Sequence, residues 1–489
     1  MARLSLVSLA EAGASPAIAR QNLRNGIVHL GLGAFARAHT AVFTEDAMLA
    51  SRDITWGIVG VTQRSATVAR HLAPQNGLFT VSERGQGSAP VRVVSSITEA
   101  ISGRDNPEAV VQRISHPDTA IITLTITEKG YRFDPQTGGL DLSDELVMAD
   151  LNGSAPLTAV GQLTRGLQRR AARDAGPITV VSCDNLPANG ELTKRLVLDF
   201  AAALPAEESG PLTAWIEANT AFPSTMVDRM VPATTADDLQ EVEQELGLRD
   251  EAAVVAEPFM QWVIEDNFAE RRPRWEDAGA VFTADVAPWE AAKLRLLNAS
   301  HSLLAYLGLA SGKETIAEAV SDDAFRAACA GLMLDDVLPV MDLPDGLNGK
   351  AYCAQILERF GNSALGHTTA KVGSDGSQKI GLRLLTTVRD NLDAGREPRW
   401  AALAVAAWMR HVATTAADRL DDPLTEALHA ALPAPGNRTA DMVVPTLLGV
   451  RNVFDKSLAE DERFITLLKH WYGIIENGPD GLRKEILHG

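Results

Sequence analysis

Cysteine is scarce in this chain: Cys183, Cys329 and Cys353 are the three among 489 residues, and they show no metal-ligand spacing. So few thiols point to a reducing compartment, and the cytoplasm is expected. No H-x-x-x-H, H-E-x-x-H or Cys/His cluster occurs, so metal catalysis finds no support in the sequence. No run of about 18 apolar residues is present, and no membrane span is expected. The opening MARLSLVSLAEAGASPA has one early arginine and no sustained apolar stretch, so no secretory signal is expected either. Positive charge is in deficit, with 45 Lys and Arg against 63 Asp and Glu and a formal net charge of −18. That balance argues against nonspecific binding to nucleic acid or to an anionic membrane, while leaving room for a local basic pocket.

What is present is ordinary for a globular chain. Hydrophobic content is 46% and charged content 22%, and the length suffices for two or three domains with a large core. Nothing demands an interface, so a monomer or weak oligomer is expected. The pattern predicts two domains, an α/β domain over 1–284 followed by a mainly α-helical domain over 285–489.

Residues 26–36 read GIVHLGLGAFA. Ile27, Val28 and Leu30 predict a short buried strand, and a helix is expected over about 37–49. Strand, G-x-G-x-x-A, helix is the Rossmann-type arrangement that binds dinucleotides, so the α/β domain over 1–284 is predicted to be a dinucleotide-binding domain. Gly31 permits the tight turn, Gly33 lets the pyrophosphate approach the backbone, and Ala34 and Phe35 open the helix whose N-terminus favours negative charge. A second strand is predicted over 54–61. An NAD-binding domain usually places an acid after it, but here Thr62, Gln63, Arg64 and Ser65 follow. Arg64 fits either a 2′-phosphate or a solvated loop. Further strands are predicted at 91–94, 120–126 and 178–181, with strand pieces in 224–232 and 254–258. The strand at 120–126 runs into Thr127-Glu128-Lys129-Gly130-Tyr131, a polar loop where α/β sheets place ligand sites. The turn after 178–181 offers Asp184, Asn185, Asn189 and Gly190, as a site or simply as an Asx-rich turn. Asp228 reads as a turn acid or a pocket residue. His39 reads as support for the glycine turn or as a packing residue.

From about 285 nearly every segment reads as helix: 289–309, 315–331, 350–360, 378–394, 399–416 and 459–475. The stretch KLRLLNASHSLLAYLGL, 293–309, carries leucines around most of its circumference, the mark of a buried helix. Lys293, Asn298 and His301 stand among them. At about 100° per residue, Asn298 lies about 140° from Lys293 and His301 about 80°, all on one half of the helix. A buried lysine tends to lose its proton and can then act as a general base. By itself the segment also fits a snorkelling lysine and a satisfied core histidine. Downstream, HTTAKVGSDGSQK at 367–379 is polar and glycine-containing. Its Lys371 and Lys379 either close over an anionic or polyhydroxyl ligand or remain solvated.

Taken together, HLGLGAFARAH at 29–39, LTITEKGY at 124–131, SCDNLPANG at 182–190, STMVDRMVP at 224–232, FMQWVIED at 259–266, KLRLLNASHS at 293–302 and DGSQK at 375–379 resemble the polyol-specific long-chain dehydrogenase/reductase (mannitol dehydrogenase) family. The resemblance spans most of the chain. It implies metal-independent hydride transfer with NAD, NADP not being excluded by the residues after strand two. It also implies Lys293 as general base, Asn298 and His301 holding the reacting oxygen, and Asn189, Asp228 and Lys379 lining the site. Lys371 stands where mannitol enzymes of the family carry Arg. That departure, with Lys129 in the T-E-x-G-Y loop and the DGSQK segment, looks more like the family's fructuronate reductases. The expected substrate is therefore a sugar acid, D-mannonate or its keto form D-fructuronate, ahead of a polyol such as mannitol. A noncatalytic sugar or nucleotide sensor on the same fold is the reading from another class. An intact Lys293, Asn298 and His301 set argues against it, because a sensor need not keep a base.

Overall fold

The computed structural model describes residues 1–85, 89–153 and 155–489. The chain divides into two compact units, Met1–Ala287 and Pro288–Gly489. Among the described residues, no helix is long and apolar enough to cross a membrane.

The first unit is built on six strands: β1 (Ile27–Leu30), β2 (Ile58–Thr62), β3 (Ile97–Ser102), β4 (Ile121–Leu124), β5 (Ile178–Ser182) and β6 (Thr220–Ala221). They lie in the order β3-β2-β1-β4-β5-β6, and every neighbouring pair is parallel. That is the doubly wound Rossmann order, whose strand sequence reverses between β1 and β4. Alternation along the strands explains why the sheet is buried on both faces. Ile27, Ile58, Ile121 and Val181 enter one core, while Val28, Val59, Ile122 and Val180 enter the other.

Two local expectations are corrected. The second strand begins at Ile58, not 54, because Asp53 ties the preceding residues into a turn. Its carboxylate accepts from the Thr55 N–H at 3.1 Å and from the Trp56 indole at 2.8 Å. The helix after the glycine turn begins at Ala34 and breaks at His39 before resuming over Thr40–Ser51. His39 is buried, with Nε2 2.9 Å from the Gln261 carbonyl oxygen and its ring against Phe35, Phe43 and Trp262. Three-stranded sheets flank the main one. In one of them Thr225–Asp228 pairs antiparallel with Gln261–Glu265.

The second unit is helical. Its central helix runs over 287–310, and its buried leucines, Leu296, Leu297, Leu303, Leu304 and Leu307, supply core. The expected regular α-helix is interrupted. Lys293–Asn298 is π-helical, as are Leu332–Val337 and Gly381–Leu385, and the first of these packs against the other two. The segment expected over 315–331 is two helices, Ile316–Val320 and Asp323–Gly331, the second restarted by Asp322 capping the Ala324 N–H at 3.1 Å.

Candidate functional site

Gly31 has φ +98°, and a Cβ there would lie 2.2 Å from the Thr125 carbonyl oxygen. The turn therefore requires glycine for its own backbone. Gly33 is different: a Cβ would meet only the Gly31 oxygen, at 3.7 Å. Packing does not forbid a side chain at 33, so the space beside it is open to a ligand. The Gly33 N–H closes the turn onto the Gly31 carbonyl at 2.7 Å. The N–H groups of Ala34, Phe35 and Ala36 open the helix and have no acceptor among the described residues. Arg37 is buried and braces the turn, its Nε donating to the Gly33 carbonyl at 3.1 Å and its guanidinium to the Ala252 carbonyl. Burial pushes its pKa down to about 10. Turn, free amides and the strand-order reversal between β1 and β4 together fit a dinucleotide diphosphate. Arg64 lies exposed just past β2 and Asn185 exposed just past β5, both beyond carboxyl ends of the sheet.

The two loops after β4 and β5 are locked by one carboxylate. Asp184 accepts from the N–H groups of Ile126 at 2.9 Å and Thr127 at 2.8 Å, and from the Tyr131 hydroxyl at 2.9 Å. Thr127 is held at φ +63°. Burial raises the Asp184 pKa, partly offset by those donors. Asn189 also proves to be an internal brace. It has no solvent exposure; its Nδ2 donates to the carbonyls of Asp184 and Thr225, both at 2.9 Å, and its Oδ1 accepts from the Thr225 N–H at 2.9 Å. Here the amide pins the Thr225–Asp228 strand, which ends at the buried Asp228.

In the helical unit, the π segment changes the expected angles. The N–H of Ala299 bonds the carbonyl of Leu294, five residues back. A helix bonded from i to i+5 turns less per residue than an α-helix, so residues five apart lie closer around its axis than the about 140° an α-helix would leave. Lys293 and Asn298 therefore share one face. Lys293 is buried; Asn298 is half-buried, and its side-chain amide makes no hydrogen bond among the described residues. His301 is half-buried, and its Nε2 has neither solvent exposure nor a hydrogen-bond partner. The ring stacks on Phe360 at 4.9 Å and on His367 at 6.0 Å. Burial, then the neighbouring charges of His367, Arg383, Arg359 and Lys379, hold the imidazole well below its usual pKa, so it is neutral. Arg383 reaches the Asn298 carbonyl at 3.2 Å and the Ser302 hydroxyl at 2.9 Å.

The polar, glycine-containing 367–379 stretch contains two helical turns, Thr369–Gly373 and Gly376–Ile380. Lys371 is exposed on the first. Lys379 is half-buried, and its ammonium donates to the Val372 carbonyl at 3.3 Å and to the Ser374 carbonyl. Burial, then the Arg383 charge, lowers its pKa, and Lys371 adds to that repulsion.

Sequence reasoning missed Arg383 and Phe360, and read Tyr131, Asp184 and His367 only as members of their polar stretches. Arg383 was within reach, being a cation in an apolar run four residues past Lys379. Nothing local in the sequence marks Phe360 or His367 as partners of His301.

Comparison with known proteins gives the following. Residues 25–277 match the family described as mannitol dehydrogenase Rossmann domain, and residues 285–475 the mannitol dehydrogenase C-terminal domain. The chain is 42% identical over 462 residues to D-mannonate oxidoreductase of Escherichia coli (strain K12), covering 92% of this chain and 93% of that protein. It is 35% identical over 482 residues to a mannitol 2-dehydrogenase of Phaeosphaeria nodorum, covering 96% and 82%. The solved structure of Pseudomonas fluorescens mannitol 2-dehydrogenase, a ternary complex with NAD and D-mannitol, is 34% identical, covers 96% of each chain and superposes with a TM-score of 0.81.

Proposed function

Because the chain belongs to the mannitol dehydrogenase family of oxidoreductases, we propose that it is an NAD-dependent secondary-alcohol dehydrogenase interconverting D-mannonate and D-fructuronate. The observation that carries the substrate class is the cationic surround of His301. Arg383, Arg359 and Lys379 all act on its ring, and Lys371 acts on Lys379. A carboxylate substrate is favoured there and a second cation is not. The 42% identity to a D-mannonate oxidoreductase supports the same reading. Against it, and for a polyol, stands the engagement of Lys379 with loop carbonyls, which leaves Lys371 as the more available ammonium.

The free amides of Ala34 and Phe35 and the space beside Gly33 would hold the cofactor diphosphate, with Arg64 and Asn185 farther along the strand ends. When bound, NAD supplies the hydride acceptor in oxidation. Lys293, neutral, takes the hydroxyl proton of the substrate carbinol. The Asn298 amide and the His301 Nε2–H donate to the oxygen as negative charge develops on it. In reduction the charged Lys293 returns the proton. The cytoplasm fits three free, buried thiols.

The test is reduction of fructuronate and fructose side by side, repeated with Lys371→Met. Fructuronate is expected to win by kcat/KM, and Lys371→Met to cut its lead by roughly 10- to 150-fold, the worth of a charge-assisted hydrogen bond of about 1.5–3 kcal/mol. If fructose wins in the wild type, the chain is a polyol dehydrogenase. If fructuronate wins and Lys371→Met leaves the ratio unchanged, the substrate stands and the role of Lys371 falls. A tenfold preference for NADP over NAD would overturn the cofactor, and Arg64→Ala would then locate the preference.

A further inference from the structure

The middle of β1 carries a residue that neither the fold nor the proposed chemistry explains. His29 is 1% exposed in a strand whose other members, Ile27, Val28 and Leu30, are all apolar. Both ring nitrogens are engaged by hydroxyls of the adjacent β4 segment. Nδ1 lies 2.7 Å from the Thr123 Oγ1, and Nε2 lies 2.9 Å from the Thr125 Oγ1. Thr125 in turn sends its hydroxyl proton to the Gly31 carbonyl, at 2.9 Å.

The direction of every proton in this chain follows from valence. A threonine hydroxyl has one hydrogen. Since Thr125 gives it to Gly31, the same oxygen must accept from His29 Nε2. Burial pushes the His29 pKa down to about 4, so the ring is neutral and carries one N–H. That N–H is therefore on Nε2, Nδ1 is bare, and the Thr123 hydroxyl donates to it. The endpoint is the Gly31 carbonyl, which the Gly33 N–H also bonds to close the turn. Gly31 moreover sits where no Cβ fits against the Thr125 carbonyl. The turn is thus fixed from three sides, and its geometry aims the amides of Ala34 and Phe35.

We propose that His29, acting through Thr125, is a positioning residue that holds the Gly31 turn in the conformation that binds the cofactor diphosphate. This rests on the reading of the first unit as the NAD site. A single-tautomer histidine suits the task because it orients Thr125 without a charge that would compete for the phosphates.

Direct titration of NADH into the full chain tests it, with wild type, Thr125→Val and Thr125→Ser compared. Loss of the hydroxyl is expected to weaken NADH about 3- to 10-fold. The KM for the sugar substrate and kcat at saturating cofactor should stay within about twofold, and Thr125→Ser should bind like wild type within about twofold. A merely structural threonine would lower thermal stability without this split. If wild type binds NADH and Thr125→Val binds it equally, the proposal is wrong and the cofactor reading survives. If wild type shows no NADH binding, both fall. Should Thr125→Val fail to fold, nitrogen NMR of histidine-labelled wild type decides, with the His29 signals identified by their shift in Thr125→Ser. One protonated Nε2 and one bare Nδ1, unchanged from about pH 5.5 to 8, are expected. A protonated Nδ1, or titration in that range, overturns the relay.

Discussion

Lys293 can serve as a base only if the groups that hold the carbinol oxygen lie on its own side of the helix. On a regular α-helix Asn298 would stand about 140° away. The π segment over Lys293–Asn298 narrows that offset. A π turn costs ordinary helical hydrogen bonding, and such turns recur where function needs them. Lys293→Met is expected to lower kcat by about 100- to 10,000-fold while NADH binding stays near wild type, because the lysine acts on the substrate proton and the amides of Ala34 and Phe35 lie in the other unit. A variant retaining more than about a tenth of wild-type kcat would remove Lys293 from the role. Any residual activity should also lack the acidic limb of the pH profile, since in oxidation the base must be neutral.

At the scale of the element, the two glycines of the turn answer to different demands. Gly31→Ala places a methyl against the Thr125 carbonyl at a positive φ and should destabilise the fold by about 1–3 kcal/mol, read as a lower unfolding midpoint. Gly33→Ala meets nothing of the protein closer than 3.7 Å, so it should melt like wild type yet bind NADH at least about tenfold more weakly. Equal cofactor affinity for Gly33→Ala would show that the ligand does not approach there. This turn was legible in the sequence because its cause is local: a buried apolar run, a glycine where φ is positive, and a helix start. Four of the six parallel strands were legible for the same reason, through runs such as Ile121–Leu124, whereas the edge strands Ile97–Ser102 and Thr220–Ala221, with Thr, Glu and Ala among their residues, were not. The π segments were not, because leucine, lysine and arginine are ordinary α formers and nothing in KLRLLN announces the wider turn. The bracing role of Asn189 was not legible, since its partners at Thr225 are 36 residues away and no local pattern reveals them. The late start of the second strand escaped for a smaller reason: Asp53 takes the Thr55 N–H from the ladder and holds the Trp56 indole beside it.

Over the whole molecule, burial has set two groups of titrating side chains against each other. His29, His301, His367 and His411 all have lowered pKa values, His29 to about 4. Below their ordinary value the unfolded chain binds the protons first, so their contribution is present above about pH 6.5 and is lost as pH falls toward the folded values. Asp336 works the other way. It is 2% exposed, and burial raises its pKa to about 7 although it accepts from the N–H groups of Trp400 and Ala401, both at 2.8 Å. Here the folded chain binds the proton first, so the contribution is present below about pH 4 and is lost as pH rises through 7. Asp336→Asn keeps an acceptor for the start of the Arg399–Thr414 helix and removes the charge. Relative to wild type, the variant should gain about 1–4 kcal/mol on going from pH 4 to pH 8, in the window where wild-type Asp336 must ionise in the core. Denaturant midpoints of both proteins at the two pH values measure it. An unchanged difference would mean that Asp336 is ionised throughout, and that its helix-capping bonds outweigh its burial.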